Sequence, residues 1–269
     1  MTVGVGIKCT DGIVLACDSM ATFGRGVPIL RYTNKVRVLD HAKLIGPVAL
    51  LGAGLTTYVD KFLHRASHIG IDLAQRNLRR KLDIVDFCEH VGEPVVSALL
   101  KEYGLDRAAF FKAPVVDYQL ELLMAGTTTD NELRGYFVHE NGVSEPLEQY
   151  GTIGSGAAYA ELFLRYLIAG PQIDVKQASR LAVYVIKGVG LMDPNVGGTT
   201  SVAVITNTKK GEKGEPKLTI GLLPSDKLPK DASQTMENVL GRIGGLIQEV
   251  LGGEEHDKDN DQGGHEKVA

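Results

Sequence analysis

The sequence predicts an α+β protein folded as a four-layer αββα sandwich, with two antiparallel sheets between two helix pairs. Three observations lead there. The segments run strands, two helices, strands, two helices, strands, without the single alternating βαβ units of a doubly wound sheet. Several strand segments are apolar on both faces and so need cover on both sides. Asp-Gly and Asn-Gly pairs sit between β-forming runs, where they favour tight hairpins.

The elements follow in order. Residues 3–9 and 13–17 are β-forming runs split by Thr10-Asp11-Gly12. Residues 35–39 alternate, 40–46 turn, and 47–53 form a nearly continuous apolar strand. Helix-spaced apolar residues run from Leu55 through Val59, Phe62, Leu63 and Ala66 to about Leu82. A second helix spans 84–103, ending at Gly104, and the short link makes the two an antiparallel pair. Strands return at 118–126 and 133–139, followed by the Asn141-Gly142 turn. The stretch Gly151–Gly156 leads into a helix over 157–169, and Pro171 separates it from another beginning at Asp174 and ending near Gly190. Strands at 199–206 and 217–222 and an amphipathic helix over 232–251 complete a single domain, 1–251. Residues 252–269 carry Gly, Asp, Glu, Lys and His with little to bury, and read as a disordered acidic tail.

Composition narrows the function classes. The 269 residues are 43% hydrophobic and 23% charged, as in globular domains, so a full core is available. A net charge of -4 argues against a nucleic-acid grip built on phosphate neutralisation. Cys9, Cys17 and Cys88 form neither a disulfide framework nor a metal-ligand spacing. No signal peptide or membrane-length apolar run is visible, so the expected location is the cytoplasm.

Individual residues suggest chemistry only weakly. Gly154-Ser155-Gly156 before a helix is either an anion cradle or, more simply, a tight strand-to-helix turn; no Walker lysine follows. Thr2 follows Met1 in the small-residue context where the methionine is removed. A free N-terminal threonine holds a hydroxyl nucleophile and an amine of pKa about 7.7–8.0 on one residue. Asp18 ends a strand and Lys35 begins one. If they meet beside Thr2, the ammonium eases deprotonation of the hydroxyl and the carboxylate holds the ammonium. Asp193 precedes a Gly197-Gly198 turn.

The order of these residues resembles the proteasome β-type subunits, among the N-terminal-nucleophile hydrolases of the threonine peptidase family. The resemblance covers residues 2 to about 251. It is carried by Thr2 with Val5-Gly6-Ile7, by Asp11–Ser19, Asn34-Lys35-Val36 and Leu51-Gly52-Ala53-Gly54. Gly154–Ala160, Asp193, Gly197-Gly198 and Val202–Ile205 complete it. It implies that Thr2 is the nucleophile, that Lys35 and Asp18 tune it, and that Ser155 and Asp193 support the terminal amine. The Gly52 N–H is the implied oxyanion donor. Leu50, Ala21 and Thr33 are the implied lining of an uncharged pocket favouring a modest apolar residue.

The resemblance further implies a threonine-type endopeptidase acting on unfolded polypeptides inside a stacked homo-oligomeric ring, fed by a separate ATP-dependent unfoldase. It implies no metal, organic cofactor, nucleic acid or membrane. A non-catalytic ring scaffold, and an amidase or transpeptidase on the same fold, are the alternatives. An α-type subunit is disfavoured because no helix precedes the first strand. The chain departs from the family pattern in having Val196 where a serine is usual and one extra residue between Asp18 and Lys35. Only Met1 precedes Thr2, so activation is expected to rest on methionine removal.

Overall fold

The Asp11-Gly12 turn closes the first hairpin. β1 (Gly4–Lys8) and β2 (Gly12–Asp18) pair antiparallel, and the Cys9 N–H donates to the Gly12 carbonyl at 2.8 Å. The computed structural model describes residues 2–23, 29–40, 44–54, 59–66, 68, 81–92, 120–139, 143–168, 173–206 and 217–223. These lie in a compact unit, Met1–Lys227; the second unit, Leu228–Ala269, lies wholly outside them, as do the expected helix over 232–251 and the tail.

β3 (Met20–Phe23) and β4 (Ile29–Tyr32) form a small separate hairpin. β5 (Val36–Leu39), β6 (Val48–Gly54), β7 (Leu120–Thr127), β8 (Leu133–Val138) and β9 (Ser144–Pro146) make one antiparallel sheet in chain order. β10 (Tyr150–Ile153) returns to the first sheet, which β11 (Thr200–Thr206) and β12 (Lys217–Leu223) complete in the order β10-β1-β2-β11-β12. Among the described residues the helices are α1 over residues 59–66, α2 (Ile84–Phe87) with a π-helical turn at Cys88–Gly92, α3 (Ala157–Leu167) and α4 (Val175–Met192).

Strand alternation builds the layers. Ile13, Leu15 and Cys17 of β2 meet Ala49, Leu51, Leu123 and Ala125 of the other sheet in a dry inter-sheet core. Val14 and Ala16, on the opposite face of β2, are also buried, and α4 packs against this strand. In the second sheet, Val48, Leu50, Leu122 and Met124 face Phe62, Ile84 and Phe87 of the α1–α2 layer. The four-layer expectation therefore holds, and two-sided burial explains the strands' lack of polar alternation.

Several local readings need correction. The first helix does not reach Leu82, which bridges Leu44 in parallel. Asp83 is already the N-cap of α2: it is extended (φ −94, ψ −178), and its carboxylate accepts the Asp86 N–H at 2.9 Å. In the expected helix 84–103, the α-helical run stops at Phe87 before the π turn; Gly104 and the expected antiparallel pairing lie outside the described residues. The β3–β4 hairpin and β9 were not legible as strands, and β10 occupies part of the stretch read as a helix entry. The Asn141-Gly142 turn lies outside the described residues.

Candidate active site

Four of the expected residues line one narrow cleft. Thr2, Thr33, Lys35 and Gly52 face it together with Asn34, Gly54, Val59 and Asp60. They arrive by separate routes. Thr2 precedes β1, Thr33–Lys35 link β4 to β5, and Gly52 lies one residue beyond the last β5–β6 pair, Val36–Leu51. Thr2 is only 4% exposed and Lys35 6%, so both the threonine and the lysine are largely removed from water.

Asp18 lies behind the cleft and organises it. Its Oδ1 accepts from Lys35 Nζ at 2.8 Å and from the Val3 N–H at 3.1 Å. Its Oδ2 accepts from the Met20 N–H at 3.1 Å and the Gly197 N–H at 3.3 Å. One carboxylate thus ties the residue after Thr2, the start of β3 and the loop after α4 to the lysine. Lys35 Nζ also donates to the Met20 carbonyl. Burial pushes the Asp18 carboxyl above its ordinary value, while the Lys35 charge and the N–H donors pull it down. Burial likewise pushes the neighbouring Cys17 thiol up to about 12, leaving it neutral and unreactive at neutral pH.

The Gly154–Gly156 turn holds Thr2 by its backbone. Ser155 Oγ lies 3.4 Å from both the nitrogen and the carbonyl oxygen of Thr2, and the Gly156 N–H donates to that carbonyl at 3.2 Å. The Thr2 nitrogen is here an amide joined to Met1. Gly154 has φ +90, and a Cβ on it would collide with the Thr2 carbonyl, so glycine is required for this approach. The stretch is the tight strand-to-helix turn between β10 and α3, and it also holds the Thr2 backbone.

Asp193 ends α4, which begins at an Asp174–Gln177 capping box. Its Oδ1 accepts from the backbone N–H of Asn195 at 2.9 Å and the side-chain amide of Asn195 at 3.0 Å. Val196 is buried, close beneath Gly156. Of the residues expected to line the pocket, Thr33 does so; Leu50 is buried against the helix layer and Ala21 is buried outside the cleft lining.

Sequence reasoning missed two groups. Ser19 is buried, and its Oγ accepts the Thr199 N–H at 2.9 Å and lies 3.1 Å from Thr199 Oγ1, fixing the loop beside Asp18. It belongs to the run Asp11–Ser19 that carries the resemblance, which assigns it no role. Asp60 puts a carboxylate on the cleft that Thr33 lines, whereas the expected pocket of Leu50, Ala21 and Thr33 carries no charge, and nothing in the helical spacing of α1 marks it. A recess of about 320 Å³ shares Asp60 with the cleft and is also lined by Arg37, Leu63 and His64. Among the described residues, no group of three or more His, Cys, Asp or Glu side chains is placed to hold a metal ion, and no helix is long and apolar enough to cross a membrane.

No protein-family model matches the chain. A proteasome subunit beta of Nanoarchaeum equitans (strain Kin4-M) is 29% identical over 215 residues, covering 78% of this chain and 95% of its own length. Anbu (ancestral beta-subunit) from Yersinia bercovieri has a similar structure, with a TM-score of 0.65 at 14% identity over 91% of this chain and 96% of that one. An Anbu Gly-1 mutant from Hyphomicrobium sp. strain MC1 gives 0.65 at 14% identity over 97% of this chain and 100% of that one. These structural likenesses show the fold alone, the four-layer αββα sandwich expected from the sequence.

Proposed function

We propose that the chain is a threonine-type endopeptidase of the proteasome β type, a reading supported by its 29% identity to a proteasome subunit beta and by its four-layer fold. The observation that carries this reading is the convergence of Thr2, Lys35 and Gly52 on one cleft with Asp18 bonded to Lys35 behind it.

The mechanism starts with loss of Met1, which converts the Thr2 nitrogen into an amine. The Thr2 hydroxyl attacks the substrate carbonyl and passes its proton to that amine. The Lys35 ammonium lowers the cost of negative charge on the hydroxyl oxygen, and Asp18 keeps the ammonium in place. The Gly52 N–H stabilises the oxyanion of the tetrahedral intermediate. Collapse expels the leaving amine, which takes up the proton, and leaves an ester on Thr2. Water then hydrolyses that ester with the same amine as base. Ser155 positions the amine, and Asp193 supports the loop beneath it. Thr33 contributes to side-chain selection, and Asp60 adds a charge that Leu50 and Ala21 do not.

In this reading the domain 1–251 assembles into a homo-oligomeric ring in the cytoplasm, and unfolded polypeptides reach the sites from an ATP-dependent unfoldase. Thr2→Ala should abolish cleavage of fluorogenic peptides, and the mature wild-type chain should begin at Thr2 by mass. Undiminished turnover in Thr2→Ala overturns the proposal; a retained Met1 favours a non-catalytic ring subunit.

A further inference from the structure

Glu121 breaks the pattern of its strand. It is the second residue of β7, and the residues that share its face, Leu123 and Ala125, belong to the dry inter-sheet core. A carboxylate at the end of that layer is costly unless hydrogen-bonded. Its Oε2 accepts the Gly154 N–H at 2.6 Å, a short charge-assisted bond across the two sheets. Glu121 is the cross-strand partner of Ala53, and a Cβ on Gly154 would lie 3.2 Å from the Ala53 Cβ. Gly154 is thus confined between the Glu121–Ala53 rung and the Thr2 carbonyl. The next two residues are those that hold Thr2, through Ser155 Oγ and the Gly156 N–H.

We infer that Glu121 is a positioning residue: its carboxylate anchors the Gly154–Gly156 turn from the second sheet and so sets where the Thr2 backbone lies relative to the cleft. Lys35 and Asp18 hold the chain from one side, through Val3; Glu121 holds it from the other, through the turn. Glu121 does not line the cleft, so its effect falls on the chemical step and not on substrate binding. The kinetic half of the inference rests on Thr2 being the nucleophile; the geometric half does not.

The experiment compares Glu121→Ala and Glu121→Gln in the full chain. It measures kcat and KM on a fluorogenic peptide, and amide hydrogen exchange by mass spectrometry on peptides spanning the turn. Glu121→Ala should lower kcat about tenfold or more, because small displacements of a nucleophile are expensive, with KM within about twofold. Glu121→Gln keeps an acceptor oxygen at the same reach and should restore most of kcat. Exchange across residues 154–156 should accelerate in Glu121→Ala and stay near wild type in Glu121→Gln. Should Glu121→Ala fail to fold, Glu121→Leu, which restores the apolar alternation without an acceptor, carries the same expectations. Unchanged kcat in the acceptor-free variant, a glutamine variant as impaired as it, or unaltered exchange across the turn each overturns the inference. If the wild-type chain cleaves no peptide, the proposed activity fails on its own, and the exchange measurement still decides whether Glu121 anchors the turn.

Discussion

The Lys35 ammonium and the Asp18 carboxylate meet at 2.8 Å with both side chains buried, and three backbone N–H groups share the same carboxylate. The pair joins the residue that follows Thr2 to the loop that follows α4. Its energetic role differs from that of a surface bridge, because neither partner can fall back on water.

Asp18→Ala takes the counter-charge from a buried ammonium that keeps the Met20 carbonyl, and the acceptor from three backbone N–H groups. The expected loss of stability is about 3–5 kcal/mol, read from urea denaturation. A variant as stable as wild type would show that water or a rearranged loop replaces the carboxylate.

The pH dependence follows from the raised Asp18 value. As pH falls, Asp18 takes up its proton before an ordinary aspartate of 3.8 does, and Lys35 loses its counter-charge. The acid limb of kcat/KM should therefore lie above pH 3.8; a limb at or below it contradicts the assignment. The stability linkage has the opposite sign. A raised folded value means that the folded chain binds the proton more tightly than the unfolded chain. That contribution is present below the unfolded value and is lost as pH rises through the folded one. Asp18→Asn should remove both dependences, which kcat/KM and Tm measured across the same pH series will show.

Gly154→Ala places a methyl group against the Thr2 carbonyl at a backbone conformation of φ +90. Strain and collision together should cost about 1–3 kcal/mol, with a fall in kcat larger than any change in KM. Wild-type kinetics in this variant would show that the turn does not set the position of Thr2.

Val196→Ser restores the hydroxyl that the family pattern leads one to expect. Val196 is buried, its Cγ2 is 3.3 Å from where a Gly156 Cβ would lie, and Asp193 Oδ1 already accepts two donors from Asn195. The substitution should cost about 1–3 kcal/mol of stability without raising turnover. A clear gain in kcat would mean that the hydroxyl finds a productive partner.

The sequence alone determined the coarse succession of strand and helix blocks, the Asp11-Gly12 hairpin and the two-sided burial of β2 and β6, but not the β3–β4 hairpin or β9. It also singled out Thr2, Asp18 and Lys35 as residues whose order resembles a known family, while their meeting was left to the tertiary structure. These features depend on alternation, turn preference and side-chain type, which are local. What only the tertiary structure decided lies between residues far apart in the chain. Asp60 enters the cleft from α1, Leu82 bridges Leu44, Ser19 fixes Thr199, and Glu121 reaches Gly154 across the sandwich. Those meetings are set by sheet register and by the packing of one layer on another, and hydropathy along a single chain does not encode which polar residue stands at the end of which layer.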